Sequence, residues 1–215
     1  MNVQFKSKEF EKYVYVKLNK DIEEELTLSD LGQVHDVSIN QLNIRGEVID
    51  TTMLDLLFFK NLRELTIQNF EINEHNVVYL EKLENLQNLS LSSCKFSDGI
   101  ALKLNKSTET LRINACENMH FGLFSSENNI KNLYIRNIDL ERVGALNLNN
   151  INNLQQLEKL EMQNCDEITN IQQISGLAKL LSLNIDGSTV DDPNFIQELK
   201  QRMKVSDEKE SYLIG

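Results

Sequence analysis

The chain has 215 residues, 40% of them hydrophobic, and a formal net charge of −11. This acidic excess argues against a nucleic-acid partner, because binding to a phosphate backbone needs clustered Lys and Arg. No stretch approaches the roughly 18 consecutive apolar residues of a membrane span, so we expect no membrane contact either.

The N-terminal sequence bears on where the protein works. It reads MNVQFKSKEFEKY, is charged throughout and lacks the apolar segment of a secretory signal. We therefore expect a cytoplasmic protein, or a secreted one if a signal peptide has been removed.

Residues 1–33 are predicted to form an N-terminal cap. Ser7 is a good helix N-cap, and Phe10, Val14 and Leu18 follow at i, i+4 and i+8, on one face of a helix. The sequence YVYVKL that ends at Leu18 also alternates like a β-strand. Between these two interpretations we favour the helix.

Between residues 34 and 190 a nine-residue pattern occurs seven times, with mainly apolar residues at positions 1, 4, 6 and 9. The frames begin at residues 34, 62, 86, 108, 130, 157 and 180. By subtraction, successive repeats are 28, 24, 22, 22, 27 and 23 residues long. Self-similarity at this period and with this internal spacing is typical of leucine-rich repeats.

Each frame is predicted to contain one short strand. A strand sends alternate side chains to opposite faces, so positions 4 and 6, such as Leu65 and Ile67, point inward, and positions 3, 5 and 7 point outward. Each coil then stacks only on its neighbours, which makes one elongated domain. Only the first and fifth repeats are long enough for a helix on the return path. The shorter ones should return through a 3₁₀ turn or irregular chain.

Position 9 turns the chain off the strand and faces the interior, where a small polar or thiol side chain can meet buried turn amides. All three cysteines of the chain fall in this column, so we predict buried, reduced and unpaired thiols, which fit a reducing compartment. The column contains Leu42, Phe70, Cys94, Cys116, Ile138, Cys165 and Ser188.

The C-terminal segment 191–204 is predicted to cap the last coil. Asp192 resembles an N-cap and Pro193 the first helical residue. An apolar stripe at helical spacing follows, and we place the helix at residues 193–204. The stripe consists of Phe195, Ile196, Leu199 and Met203. The remaining segment, 205–215, is predicted to be a disordered tail.

These features resemble bacterial leucine-rich repeat proteins. The segment from Phe5 to Ile39 resembles the helical N-terminal cap that precedes many such arrays, including those of internalins. The sequence CDEIT, which begins at Cys165, resembles the cysteine-containing class of repeats. The resemblance implies an α/β leucine-rich repeat solenoid, a horseshoe or right-handed coil with a parallel concave β-sheet and helical caps. It also implies a protein-binding scaffold.

The outward positions of the strands are mostly small neutral polar residues, and the middle of the array differs. Arg112, Tyr134 and Arg136 should be neighbours there, and Arg and Tyr are enriched at binding hot spots. An anionic or carboxylate-bearing partner would fit the two arginines. In the alternative, Tyr134 packs over its neighbours while the arginines pair with Glu161 and water. The predicted protein-binding residues are Arg112, Tyr134, Arg136, Asn114, Asn132 and Glu161.

Nothing in the sequence indicates an enzyme. The histidines His35, His75 and His120 lie at unrelated positions of the frame, without partners at metal-ligand or triad spacing. Cys116 is four residues before His120, but it belongs to the buried column. Glycine-rich phosphate loops are absent too, so we expect neither a cofactor nor a metal.

The favoured function is therefore non-catalytic protein binding, as an adaptor or scaffold whose partner is an unknown protein and which works as a monomer. Two alternatives stay open. One is an inhibitor or immunity-type protein that blocks an enzyme or toxin, which an acidic surface suits if the target is basic. The other is a secreted or surface adhesin.

Overall fold

A computed structural model describes residues 3–41 and 49–206, and the predicted solenoid of stacked coils is confirmed. Each coil contributes one strand to a single parallel sheet, in chain order, and an eighth strand follows at the C-terminal end. The strands are β1 Asp36–Asn40, β2 Glu64–Gln68, β3 Asn88–Ser92, β4 Thr110–Asn114, β5 Asn132–Ile138, β6 Lys159–Cys165, β7 Ser182–Asn184 and β8 Lys204–Ser206.

The register of the sheet follows the sequence frame. Leu65 in β2 pairs with Val37 in β1 and with Leu89 in β3, all at position 4 of their repeats. The same in-frame pairing continues through β4, β5, β6 and β7. Side chains at positions 4 and 6 are buried in all seven coils, and burial of such a side chain contributes about 1.5–3 kcal/mol. The aliphatic rows therefore hold neighbouring coils in register.

The position-9 column is buried where the structure describes it, and Leu42 lies outside the described residues. Its side chains meet carbonyls more than the predicted turn amides. The Cys94 thiol donates to Ile67 O (3.5 Å), and Cys116 donates to Leu91 O (3.5 Å), in each case position 6 of the preceding coil. Ser188 Oγ does both, since it donates to a position-6 carbonyl at 2.8 Å and accepts from the Cys165 amide at 3.0 Å.

The cysteines themselves are free and buried, as predicted. A hydrogen bond to Cys94, together with burial, raises the pKa of the Cys116 thiol. Burial raises the pKa of Cys165 to about 11. Because the thiolate is the reactive form, both thiols are held protonated and unreactive at neutral pH.

Position 8, just before this column, has a left-handed backbone in six consecutive coils. The residues with positive φ are Asn69, Ser93, Ala115, Asn137, Asn164 and Gly187. Gly and Asn tolerate this conformation well, whereas a Cβ without a compensating polar group costs about 1–2 kcal/mol. Ala115, at φ 50°, is therefore the least favourable member of the column.

The return segments depart from the length-based prediction. The first carries a helix, α3 (Ile49–Asp55), and a 3₁₀ turn, as expected. The second, expected to have no helix, contains α4 (Val77–Glu81). The extra residues of the fifth repeat form only a single helical turn, α5 (Leu140–Val143), followed by the 3₁₀ turn Ile151–Asn153. Repeat length alone is a poor guide, because one helical turn needs few residues and its apolar side chains anchor it.

Asparagines just before the frame link neighbouring coils at the return edge. Asn61 Nδ2 donates to Gly32 O (2.7 Å), and Asn85 Nδ2 donates to Lys60 O (2.8 Å). Asn129 repeats the contact with its own preceding coil at 3.0 Å. These bonds satisfy carbonyls that the sheet does not reach.

The N-terminal cap is helical, which confirms the favoured interpretation. Helix α1 (Lys8–Lys17) begins after Ser7, whose hydroxyl accepts from Phe10 N. The buried carboxylate of Asp55 accepts from the backbone N–H groups that precede the helix. Across the open edge of β1, Ser38 N donates to Tyr13 Oη at 3.2 Å. A one-turn helix, α2 (Leu28–Leu31), completes the cap.

The prediction for the C-terminal cap was partly wrong. Asp192 caps helix α6 (Pro193–Lys200) as expected, but the helix ends four residues before residue 204. The chain then turns back, and β8 pairs in parallel with β7. Residues 205 and 206, assigned to a disordered tail, belong to this strand. The ladder bonds that β8 makes along the open edge of β7 favour the strand over a longer helix.

The three buried thiols predict slow chemical labelling. In native buffer, Cys94, Cys116 and Cys165 should react with a thiol reagent only as fast as the protein opens, whereas in denaturant all three should react at once. Labelling followed by mass spectrometry over time measures this. Rapid modification of any of the three in the native protein would contradict the buried column.

The left-handed column predicts a stabilising substitution. Ala115→Gly should raise the free energy of unfolding by about 0.5–1 kcal/mol, because relief of the strained Cβ exceeds the entropy that glycine gains in the unfolded chain. Urea unfolding measures the change. As a control, Ala178→Gly at an exposed turn position without positive φ should be neutral or destabilising.

Candidate protein-binding surface

The outward positions 3, 5 and 7 of the strands form the surface that we call the concave face. Along position 5, Thr66 and Ser90 are small, and the next two residues in register are Arg112 and Tyr134. This change in side-chain size creates a trough of about 680 Å³. The trough is lined by Thr66, Gln68, Ser90, Leu91, Ser92, Arg112, Ile113, Asn114, Tyr134, Arg136 and Asn137.

Tyr134 lies between two cations. The Arg112 guanidinium is 5.1 Å from the centre of its ring and the Lys159 ammonium is 5.0 Å from it. Arg112 comes from β4 and Lys159 from β6, the two strands that flank Tyr134 on β5. Each cation–π contact contributes roughly 0.5–1 kcal/mol at an exposed site. The tyrosine ring is thereby held in one orientation.

Glu161 neutralises two cations beside that ring. Its carboxylate is 2.7 Å from Lys159 Nζ and 3.2 Å from an Arg136 guanidinium nitrogen. The residue is only 9% exposed, so solvent screens these pairs less than ordinary surface pairs. The hydrogen bond to Glu161 raises the pKa of Lys159. Arg112, Tyr134, Lys159, Glu161 and Arg136 thus form one connected set, which we call the Tyr134 network.

Arg112 differs from the other two cations of the network. Among residues 3–41 and 49–206 it has no carboxylate within ion-pair distance, and its side chain is exposed at the edge of the trough. The sequence had left two interpretations open for the arginines. The structure divides them, because Arg136 pairs with Glu161 as in the alternative and Arg112 does not.

The remaining predicted site residues are placed as follows. Asn114 lines the trough, donates to Ser92 Oγ (3.1 Å) and accepts from Asn137 Nδ2 (2.6 Å). Asn132 sits in register between Thr110 and Lys159 and is not part of the trough lining. Sequence reasoning missed Lys159. The available signal was its position 3 on the strand next to Tyr134, within diagonal reach of a long side chain.

The histidines are scattered. His35 Nδ1 is 3.0 Å from Asn61 O, and His75 lies 3.5 Å from the carboxylate of Glu74 on the surface. The described part of the chain holds no group of three His, Cys, Asp or Glu side chains that could bind a metal ion. None of its helices combines the length and the apolar character needed to cross a membrane.

Comparison with known proteins gives the following matches. The family model described as "Plant disease resistance protein RPS2-like, leucine-rich repeats" matches residues 19–186. Among solved structures, internalin C2 from Listeria monocytogenes is similar over 91% of this chain and 90% of its own, with a TM-score of 0.50 and 17% identity. InlP of the same organism is similar over 95% and 70%, with a TM-score of 0.42 and 15% identity. No curated protein matches.

The double pairing of Glu161 predicts a stability change. Glu161→Gln should lower the free energy of unfolding by about 0.5–2 kcal/mol, because two half-exposed cations lose the charge between them. Because the pKa of Lys159 is raised, its share of this stabilisation is present at neutral pH and is lost as the pH rises through that pKa, whereas the Arg136 pair persists. Urea unfolding at pH 7 measures it. Glu158→Gln, an exposed neighbour, should stay within about 0.5 kcal/mol of the wild type.

Proposed function

This chain belongs to the leucine-rich repeat family, and from that premise we propose that it is a non-catalytic module that binds a protein partner through its concave face. The fold is typical of protein–protein interaction modules. The observation that carries the proposal is the Tyr134 network. It places an aromatic ring and three cations near the middle of a face on which most other outward side chains are small and polar.

Rigidity supports a binding role for this cluster. Association costs free energy for every side chain that must be ordered. Tyr134 and Lys159 are already fixed by the contacts on either side of them, and Glu161 is nearly buried. Partners therefore find these groups preorganised. Tyr and Arg are also the residue types that most often dominate binding free energy near the centre of an interface.

The size of the face limits the proposal. The strands of the seven repeats, about 4.8 Å apart, and three outward positions cover on the order of 400 Å². Stable interfaces use about 800 Å² on each partner. Either the loops at the strand ends take part, or the contact is transient, as suits an adaptor.

The cellular setting is proposed on the same basis. Three free, buried thiols support a reducing compartment such as the cytoplasm.

The net charge of −11 favours one alternative, an inhibitor of a basic enzyme or toxin, since electrostatic attraction would speed their association.

Removing the central side chains tests the proposal. Arg112→Ala, Tyr134→Ala and Arg136→Ala together should weaken binding to a partner recovered by pull-down with the wild type by about thirtyfold or more, because even one hot-spot residue contributes at least about 2 kcal/mol. Isothermal titration with the purified partner measures the loss, and circular dichroism verifies folding.

The matched control removes cations elsewhere. Arg63→Ala, Lys106→Ala and Arg202→Ala lie on exposed positions away from the trough and have no ion pair among the described residues. This triple variant should bind like the wild type. If the concave variant binds as tightly as the control, the concave face is not the binding surface.

A further inference from the structure

We infer that Arg112 is a recognition position for a single carboxylate of the partner, an Asp or Glu side chain or a chain terminus, seated in the trough beside Tyr134. This inference rests on the proposed function and narrows it. The sequence had suggested that Arg112 and Arg136 share an anionic partner. In the structure the two arginines have different contacts: Arg136 pairs with Glu161, whereas Arg112 lies over the Tyr134 ring.

The Tyr134 network has more cations than acids. The network contains three cations, Arg112, Arg136 and Lys159, and one acid, Glu161. Glu161 contacts Arg136 and Lys159, and Arg112 is the cation that it does not reach. Within the described ranges, Arg112 has an aromatic ring beside it and no acid. One further carboxylate on Arg112 would complete the local pairing.

The residues beside Arg112 on the neighbouring strands leave its guanidinium accessible. The guanidinium of Arg112 is held 5.1 Å from the Tyr134 ring, on the side of the trough. The next residue in register, away from Tyr134, is Ser90, followed by Thr66. Their side chains are too small to cover the guanidinium, so its donors stay open to a ligand that enters there. A planar guanidinium donates two parallel hydrogen bonds to a carboxylate.

Charge also selects among anions. The chain as a whole carries −11, and Glu161 lies in the same row, two strands from Arg112. A phosphate group brings nearly two negative charges at neutral pH and would need a second free cation. Arg136 and Lys159 are occupied by Glu161. The site therefore favours a monovalent carboxylate over a phosphorylated side chain.

The first test uses probes of defined chemistry on the whole 215-residue chain. Capped glutamate (N-acetyl-glutamate methylamide), capped glutamine and capped phosphoserine are each titrated at constant ionic strength, and the arginine Nε–H signals are followed by NMR. Arg112 is assigned as the signal missing from Arg112→Lys. Capped glutamate should shift the Arg112 signal several-fold more than those of the exposed Arg63 and Arg202, and capped glutamine should not.

Two results of this titration would overturn the inference. One is a shift at Arg112 no larger than that at Arg63. The other is a stronger response to capped phosphoserine than to capped glutamate, which would identify a phosphate position instead.

The second test separates this inference from the proposed function. With the recovered partner, Arg112→Gln should weaken binding about tenfold to a hundredfold, the range of a hydrogen bond to a charged group, and Arg112→Lys should restore part of it. If binding is lost in the triple concave variant but unchanged in Arg112→Gln, the concave face stands and the carboxylate position is refuted. If the triple variant binds as tightly as the wild type, the proposed binding through the concave face is itself refuted.

Discussion

Stacking of aliphatic side chains from coil to coil is the interaction on which the rest of this molecule depends. Positions 4 and 6 of every repeat are buried, and each lies in register with the same positions of the next coil. A slip of one residue would turn all of these side chains to solvent. Register is therefore strongly specified. Every other column, including the thiols at position 9 and the polar concave face, inherits its alignment from these buried rows.

That alignment brings together residues that are far apart in sequence. Arg112, Tyr134 and Glu161 are 22 and 27 residues from one another along the chain, yet they occupy adjacent positions of one row. Function in such a fold arises from which residue types happen to share a row. Most of the concave face carries small polar groups, so the Tyr134 network stands out by size, charge and rigidity. The same fold with Ser at these three positions would present an unremarkable solvated sheet.

Prediction from sequence succeeded where local pattern and burial agree, and failed where tertiary contacts decide. The helix of the N-terminal cap was predictable because Ser7, Phe10 and Val14 satisfy both capping and burial. Helix α4 and strand β8 were not, because their formation depends on what the neighbouring coil offers them. The left-handed backbone of position 8 was missed as well. Its recurring Asn was visible in the sequence, but Ser93 and Ala115 break that signal.

By itself the sequence determined the rows: which residues are buried, which face outward, and which outward residues lie next to one another. Periodicity is sufficient for that, since strand alternation and repeat length set the direction and order of every side chain. Only the tertiary structure decided the pairing within the rows. Glu161 contacts Lys159 and Arg136, and it leaves Arg112 beside Tyr134 without an acid in the described part of the chain. That outcome depends on distances across strands and on the conformations of long side chains, which periodicity does not encode.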